Sequence, residues 1–272
     1  MKRRAAANLP LYALIWCTAI TLAFPQLEFA QQADKREILK KARGSYYSLK
    51  NEGFDGFKCD LTPNWEVLLA DLRKSDPKAA DSAVRLLSGL RFSLGVRSDG
   101  TPAITHNTIP ADNDQMAKGL SQIYSGLDQM MGGFFQTWSA FLLVPPLPEP
   151  DGEYLLENEG SQYRLAYKEG ATDVASQMSK EFEVNWLRVT TKEFDSTLWP
   201  RFTKTPKGFL LAGYRAAYQG TSGADKTDLL VEIDNQEVSG LWLPHRVHLK
   251  GAYGGTPFET EVLFEGCSAS KR

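Results

Sequence analysis

The residues able to do chemistry are few, and their spacing works against it. His245 and His248 form an H-x-x-H, yet they sit in a run where apolar and polar residues alternate, which predicts a strand. On a strand, residues three apart point to opposite faces, so the two imidazoles make a poor joint metal site. His245 falls with the apolar set, where it is either a hydrogen-bonded core residue or a polar group inside a ligand pocket. His106 carries no pattern. No G-x-S-x-G, P-loop, G-x-G-x-x-G or H-E-x-x-H occurs, which removes the usual support for hydrolase, nucleotide or zinc readings. The carboxylates are scattered among predicted strands, with no assignable acid–base pair. The expectation is a protein that is not an enzyme and uses neither metal nor cofactor.

Two cysteines offer the remaining covalent chemistry. Lys2, Arg3 and Arg4 precede an apolar run from Leu9 to Phe24, the order of a secretory signal. Residues 1–30 are therefore read as a signal peptide, cut after Ala23 or Ala30, with an uncleaved anchor as the alternative. Its removal takes Cys17 away and leaves Cys59 and Cys267. In an oxidising, extracytoplasmic compartment these are the disulfide candidates, and two buried free thiols are the other reading.

The other chemistry is apolar surface. Between Asp112 and Leu143, the residues Met116, Leu120, Ile123, Leu127, Met130, Phe134, Trp138 and Phe141 recur by threes and fours on one helical face. Tyr124, Met131, Phe135 and Leu142 widen that face. No charge occurs from Gln129 to Pro148, so the second half of this helix belongs in an interior. Asp112 and Gln115 offer a cap. Gly119, Gly126 and the pair Gly132-Gly133 weaken the helix by up to about 1 kcal/mol each, and a kink is expected at the pair. Methionine beside aromatics makes a soft lining suited to an aliphatic ligand. The pocket candidates are Met130, Met131, Phe134, Phe135, Trp138 and Phe141, facing Trp186 and His245 from the strands. Plain core packing is the competing reading for each.

The elements that must position these groups follow in order. Asp34 and Glu37 make a capping box for a first helix with Ile38, Leu39, Ala42, Tyr46 and Leu49 on its apolar side. Phe57, Cys59 and Leu61 alternate with Lys58 and Asp60 as in a strand. Thr62-Pro63 opens a short helix and Asp76-Pro77 another. Two strands flank Ser98-Asp99-Gly100. After the long helix, Val144 to Pro150 reads as a stiff proline connector. Strands then dominate, with a bulge expected near Leu187. Pro206-Lys207-Gly208 forms a turn, and Asn235-Gln236-Glu237 another.

The final hairpin is expected to join Leu241–Lys250 to Pro257–Glu265 through Gly251 to Thr256. That register sets His248 against Glu259 and Arg246 against Glu261 on a wet outer face. The resulting fold class is α+β: a curved antiparallel sheet, an incomplete barrel, with helices on its concave face. One domain is expected over residues 31–270, with a helical block at 63–143 and a mainly β part at 152–267.

A formal net charge of -2 with no long basic segment excludes nucleic acid as a main partner. The order of signal, amphipathic helix, strand and a meander ending in Gly240-Leu241-Trp242-Leu243-Pro244-His245-Arg246-Val247 resembles the periplasmic lipoprotein-carrier (LolA/LolB-like) superfamily. The resemblance implies an incomplete barrel covered by helices whose apolar cavity holds acyl chains. It leads to an expectation of a non-catalytic, exported carrier or binding protein in the periplasm or cell envelope, its partner an acyl chain or lipoprotein. The alternative is an envelope scaffold that engages another protein and holds no small ligand.

Overall fold

The computed structural model describes residues 24–220 and 226–272. Most of the expected signal segment, residues 1–23, lies outside the described residues. Among the described residues, twelve strands form one antiparallel sheet that does not close. They are β1 (Phe54–Pro63), β2 (Phe92–Arg97), β3 (Pro102–His106), β4 (Tyr154–Glu159), β5 (Gln162–Glu169), β6 (Thr172–Ser179), β7 (Val184–Thr190), β8 (Phe194–Thr205), β9 (Gly208–Gly220), β10 (Lys226–Val238), β11 (Leu241–Tyr253) and β12 (Thr256–Lys271). The order is β3-β2-β1-β12-β11 and then down the meander to β4. The chain's last strand therefore pairs with its first, and β3 and β4 are the free edges.

Among the described residues, five helices accompany the sheet: α1 (Phe24–Gly44), α2 (Trp65–Leu68), α3 (Ala70–Ser75), α4 (Pro77–Leu87) and α5 (Asp114–Leu142). The first runs ten residues further back than the Asp34 capping box predicted, and it stops at Gly44, so Tyr46 and Leu49 lie beyond it. Those two belong to a connector stitched into the fold. The Tyr46 hydroxyl donates to Phe182 O at 2.7 Å and accepts from Val184 N at 2.8 Å. Leu49 N donates to Leu142 O at 2.7 Å, tying the connector to the end of α5.

Pro63 closes β1 instead of opening a helix, and Asn64 caps α2. Asp76 caps α4 by accepting from Ala79 N at 3.0 Å, with Pro77 behind it as the sequence predicted.

Asn64 has a second bond, from its amide to Glu261 Oε1 at 2.9 Å. This bond first, and the Arg246 guanidinium next, hold the Glu261 carboxyl below its ordinary value of 4.5. A carboxyl lowered by folding stabilises the protein above its unfolded pKa, and that stability is lost as pH falls through the folded value. Asn64→Ala should therefore cost about 1–2 kcal/mol at neutral pH, from cap and amide together. The loss should shrink as the pH is lowered below 4.5, checked by urea unfolding across that range.

Bulges decide several faces. Gln177 pairs with Trp186 and Met178 with Val184, so the extra residue is Asn185, two positions before the phase change expected at Leu187. Asp234 pairs with Arg246 and Asn235 with Pro244, which leaves His245 as the unpaired residue of another bulge. Proline, lacking an N–H, is tolerated at such a point. Asn235 to Glu237 are thus inside β10, and the turn is at Ser239-Gly240. The β11–β12 hairpin turns at Gly254-Gly255, both at positive φ, and pairs His248 with Glu261. The register is displaced two residues from the expected one, because a two-residue turn needs longer strands than a wide loop. A two-residue slip preserves the faces. His248 Nε2 still reaches Glu259 at 2.9 Å and Arg246 reaches Glu261 at 3.0 Å, now diagonally.

Candidate functional site

The site is built around α5. Asn113, not Asp112, caps it, accepting from Met116 N at 2.9 Å. The helix runs through Gly132-Gly133 without interruption. Met131, Phe134 and Phe135 are buried on either side of that pair, and their packing outweighs a penalty of about 1 kcal/mol per glycine.

Three faces can be distinguished on this helix. One carries Met131, Phe135, Trp138 and Leu142, all buried. Phe135 stands 6.0 Å from the ring of Phe57 on β1 and 6.2 Å from Phe264 on β12, and Trp138 is 6.1 Å from Phe57. A second, polar face carries Ser121, Ser125 and Asp128. A third borders a cavity of about 1500 Å³ and carries Ile123, Gly126, Met130, Gly133, Thr137 and Ala140. Opposite them lie Tyr167, Val174, Leu187, Leu198, Tyr214 and Leu249 from the strands, and Pro145 to Pro148 form part of the wall.

Gly119, Gly126, Gly133 and Ala140 repeat every seven residues along the cavity side. At the three glycines, no atom of the described residues outside the local helix lies within 4 Å of where a Cβ would sit. From Gly119 to Ala140 this side of the helix forms an open trough floor, about 30 Å long at the helical rise. Leu68, Val144, Tyr218 and Phe258 line the cavity and are also exposed, which marks its rim. Tyr214, buried on β9, lines the cavity with Thr137 of α5; burial pushes its phenol up to about 12, and the Thr137 hydroxyl partly offsets this. That phenol is neutral at any physiological pH. The wall is mostly greasy surface with neutral polar groups such as Thr137 and Tyr214, and a smaller number of charged side chains, among them Arg43 and Glu149, also line it.

Of the eight predicted pocket residues, Met130, Phe134 and Phe141 line the cavity. Met131, Phe135 and Trp138 do not: they point into the packed core on the adjoining face. Trp186 is displaced by the Asn185 bulge. It pairs with Gln177 and donates its indole N–H to that side chain at 3.1 Å, while the neighbouring Leu187 lines the cavity. His245 is exposed at its bulge and touches neither core nor cavity. Sequence reasoning missed Leu187, Leu198, Tyr214 and Leu249. It noticed the glycines only as weak points of a helix, although their seven-residue repeat was there to be read.

Cys59 and Cys267 are joined, with Cα atoms 4.2 Å apart. They lie where β1 and β12 shift register and Gly266 adopts positive φ. Among the described residues no group of three or more His, Cys, Asp or Glu is placed to hold a metal, and no helix is long and apolar enough to cross a membrane. No family model, no curated protein and no solved structure matches this chain.

Proposed function

We propose that this protein is a non-catalytic carrier or binding protein for a lipid or a lipid-modified chain, exported to the periplasm or another part of the cell envelope. In this reading the sheet acts as an incomplete barrel, with α5 over its concave side and an acyl chain between them. The resemblance to the lipoprotein-carrier superfamily points the same way. The observation that carries it is the cavity. At about 1500 Å³ it exceeds the roughly 300–1,000 Å³ of ordinary small-molecule pockets, and its walls are apolar along most of their length. A trough about 30 Å long accommodates a whole acyl chain, which spans half of a bilayer core of similar thickness.

Export is supported by the basic-then-apolar N-terminus and by a disulfide, which persists in oxidising compartments. The scaffold reading calls for a filled interior between helix and sheet and is the weaker of the two. Purification from the native envelope, organic extraction and mass spectrometry should recover acyl material at near-stoichiometric yield. Delipidated protein that takes up no fluorescent acyl probe would overturn the proposal.

A further inference from the structure

The deep side of the cavity bears on what its occupant carries, an inference that rests on the acyl reading above. Strand register divides the concave face into rows. Leu187, Leu198, Ala216 and Leu229 pair across β7 to β10, and all four line the cavity as an apolar band. One step further in, Tyr214, Val231, Leu249 and Thr260 pair across β9 to β12. This is the last row to reach the cavity, because Leu211 and Val262 beyond it are fully buried and do not line it. Tyr218, exposed at the rim, lies four residues from Tyr214 on the same face of β9. The Tyr214 row therefore sits about 13 Å inside the mouth.

The greasy band ends on hydroxyls. Tyr214 is 3% exposed and Thr260 6%, both line the cavity, and no hydrogen bond of ordinary geometry reaches either hydroxyl among the described residues. Beside Tyr214, from α5, comes Thr137, whose own proton goes back to Gly133 O at 3.3 Å. Burial and that hydroxyl are what act on the Tyr214 phenol, and no charged side chain bears on it. A buried hydroxyl left unpaired is costly, so a plain hydrocarbon matches this spot poorly. An ion matches it no better, since no countercharge offsets the loss of its hydration. An uncharged acceptor meets both conditions.

We infer that the occupant carries a neutral carbonyl, that of an acyl ester or an N-acyl amide, whose oxygen accepts from the Tyr214 hydroxyl beside Thr137. The chain itself lies against the apolar band.

The test displaces a neutral apolar fluorophore from delipidated protein with a methyl ester, an N-methylamide, a carboxylate and an alkane of equal chain length. Ester and amide should each compete about fivefold more strongly than the alkane, the factor expected of one net hydrogen bond. The stronger of the two tells an acyl ester from an N-acyl source. On binding, the stretch of the ester carbonyl, which lies clear of the protein's amide bands, should fall in frequency. Tyr214→Phe keeps the ring and should erase both the shift and the advantage over the alkane, whereas Thr260→Val should leave both in place. An alkane or a carboxylate that competes as well as the ester would overturn the inference while leaving acyl binding intact, and so would a shift that survives Tyr214→Phe. Competition by none of the chains, in protein that keeps its near-ultraviolet dichroism, would instead overturn the acyl reading.

Discussion

Replacing Gly133 with phenylalanine is expected to abolish recovery of acyl chains from the purified protein without weakening the fold. Gly133 lies on the cavity side of α5, and open space surrounds the position of its absent Cβ. A benzyl group there enters the trough and not the packed core. Phenylalanine is also a better helix former than glycine, so unfolding free energy should stay level or rise by up to about 0.5 kcal/mol. Gly132 supplies the control. It has the same open surroundings but does not line the cavity, so Gly132→Phe should bind acyl probe like the unaltered protein. Equal binding by the two variants would show that the trough is not where the chain lies. A helix merely short of side chains for packing reasons would show close neighbours at these glycines, and none is present within 4 Å among the described residues.

Loss of the disulfide should give the largest change in stability. Cys59 and Cys267 are separated by 208 residues, so the bridge closes nearly the whole described fold into one loop. The chain-entropy model assigns such a loop about 5 kcal/mol, and removal of native disulfides costs about 2–5 kcal/mol in practice. The bridge also fastens β1 to β12, the pairing between the two ends of the chain. That pairing has the highest sequence separation in the sheet and is the slowest to find in a reduced chain. Cys59→Ala with Cys267→Ala should lower the urea midpoint by an amount matching about 2–5 kcal/mol, and a reductant should do the same to the unaltered protein. Midpoints unchanged by both treatments would show that the strand pairing holds without the bridge.

Local sequence determined a good deal of this protein. The Asp76-Pro77 start of α4, the turns at Ser98-Asp99-Gly100 and Pro206-Lys207, and the alternation of Phe57, Cys59 and Leu61 depend on neighbours in the chain. Capping bonds, restricted φ and side-chain period act over a few residues, so they are legible there. The apolar, uncharged second half of α5 was legible for the same reason.

Tertiary structure decided the rest. Periodicity reports that Met130, Trp138 and Phe141 are apolar but is silent on whether they meet packed protein or empty space. Only the strands opposite separate Trp138, in the core, from Met130, on the cavity. His245 and Trp186 left their expected faces because each bulge depends on how a partner strand aligns, a relation between distant segments. The β11–β12 register slid by two for a comparable reason: Gly254-Gly255 permits a tight turn, and the hydrophobic pattern fits either register equally well. The uninterrupted path of α5 through Gly132-Gly133 likewise came from packing on β1 and β12, which a helix considered alone does not have.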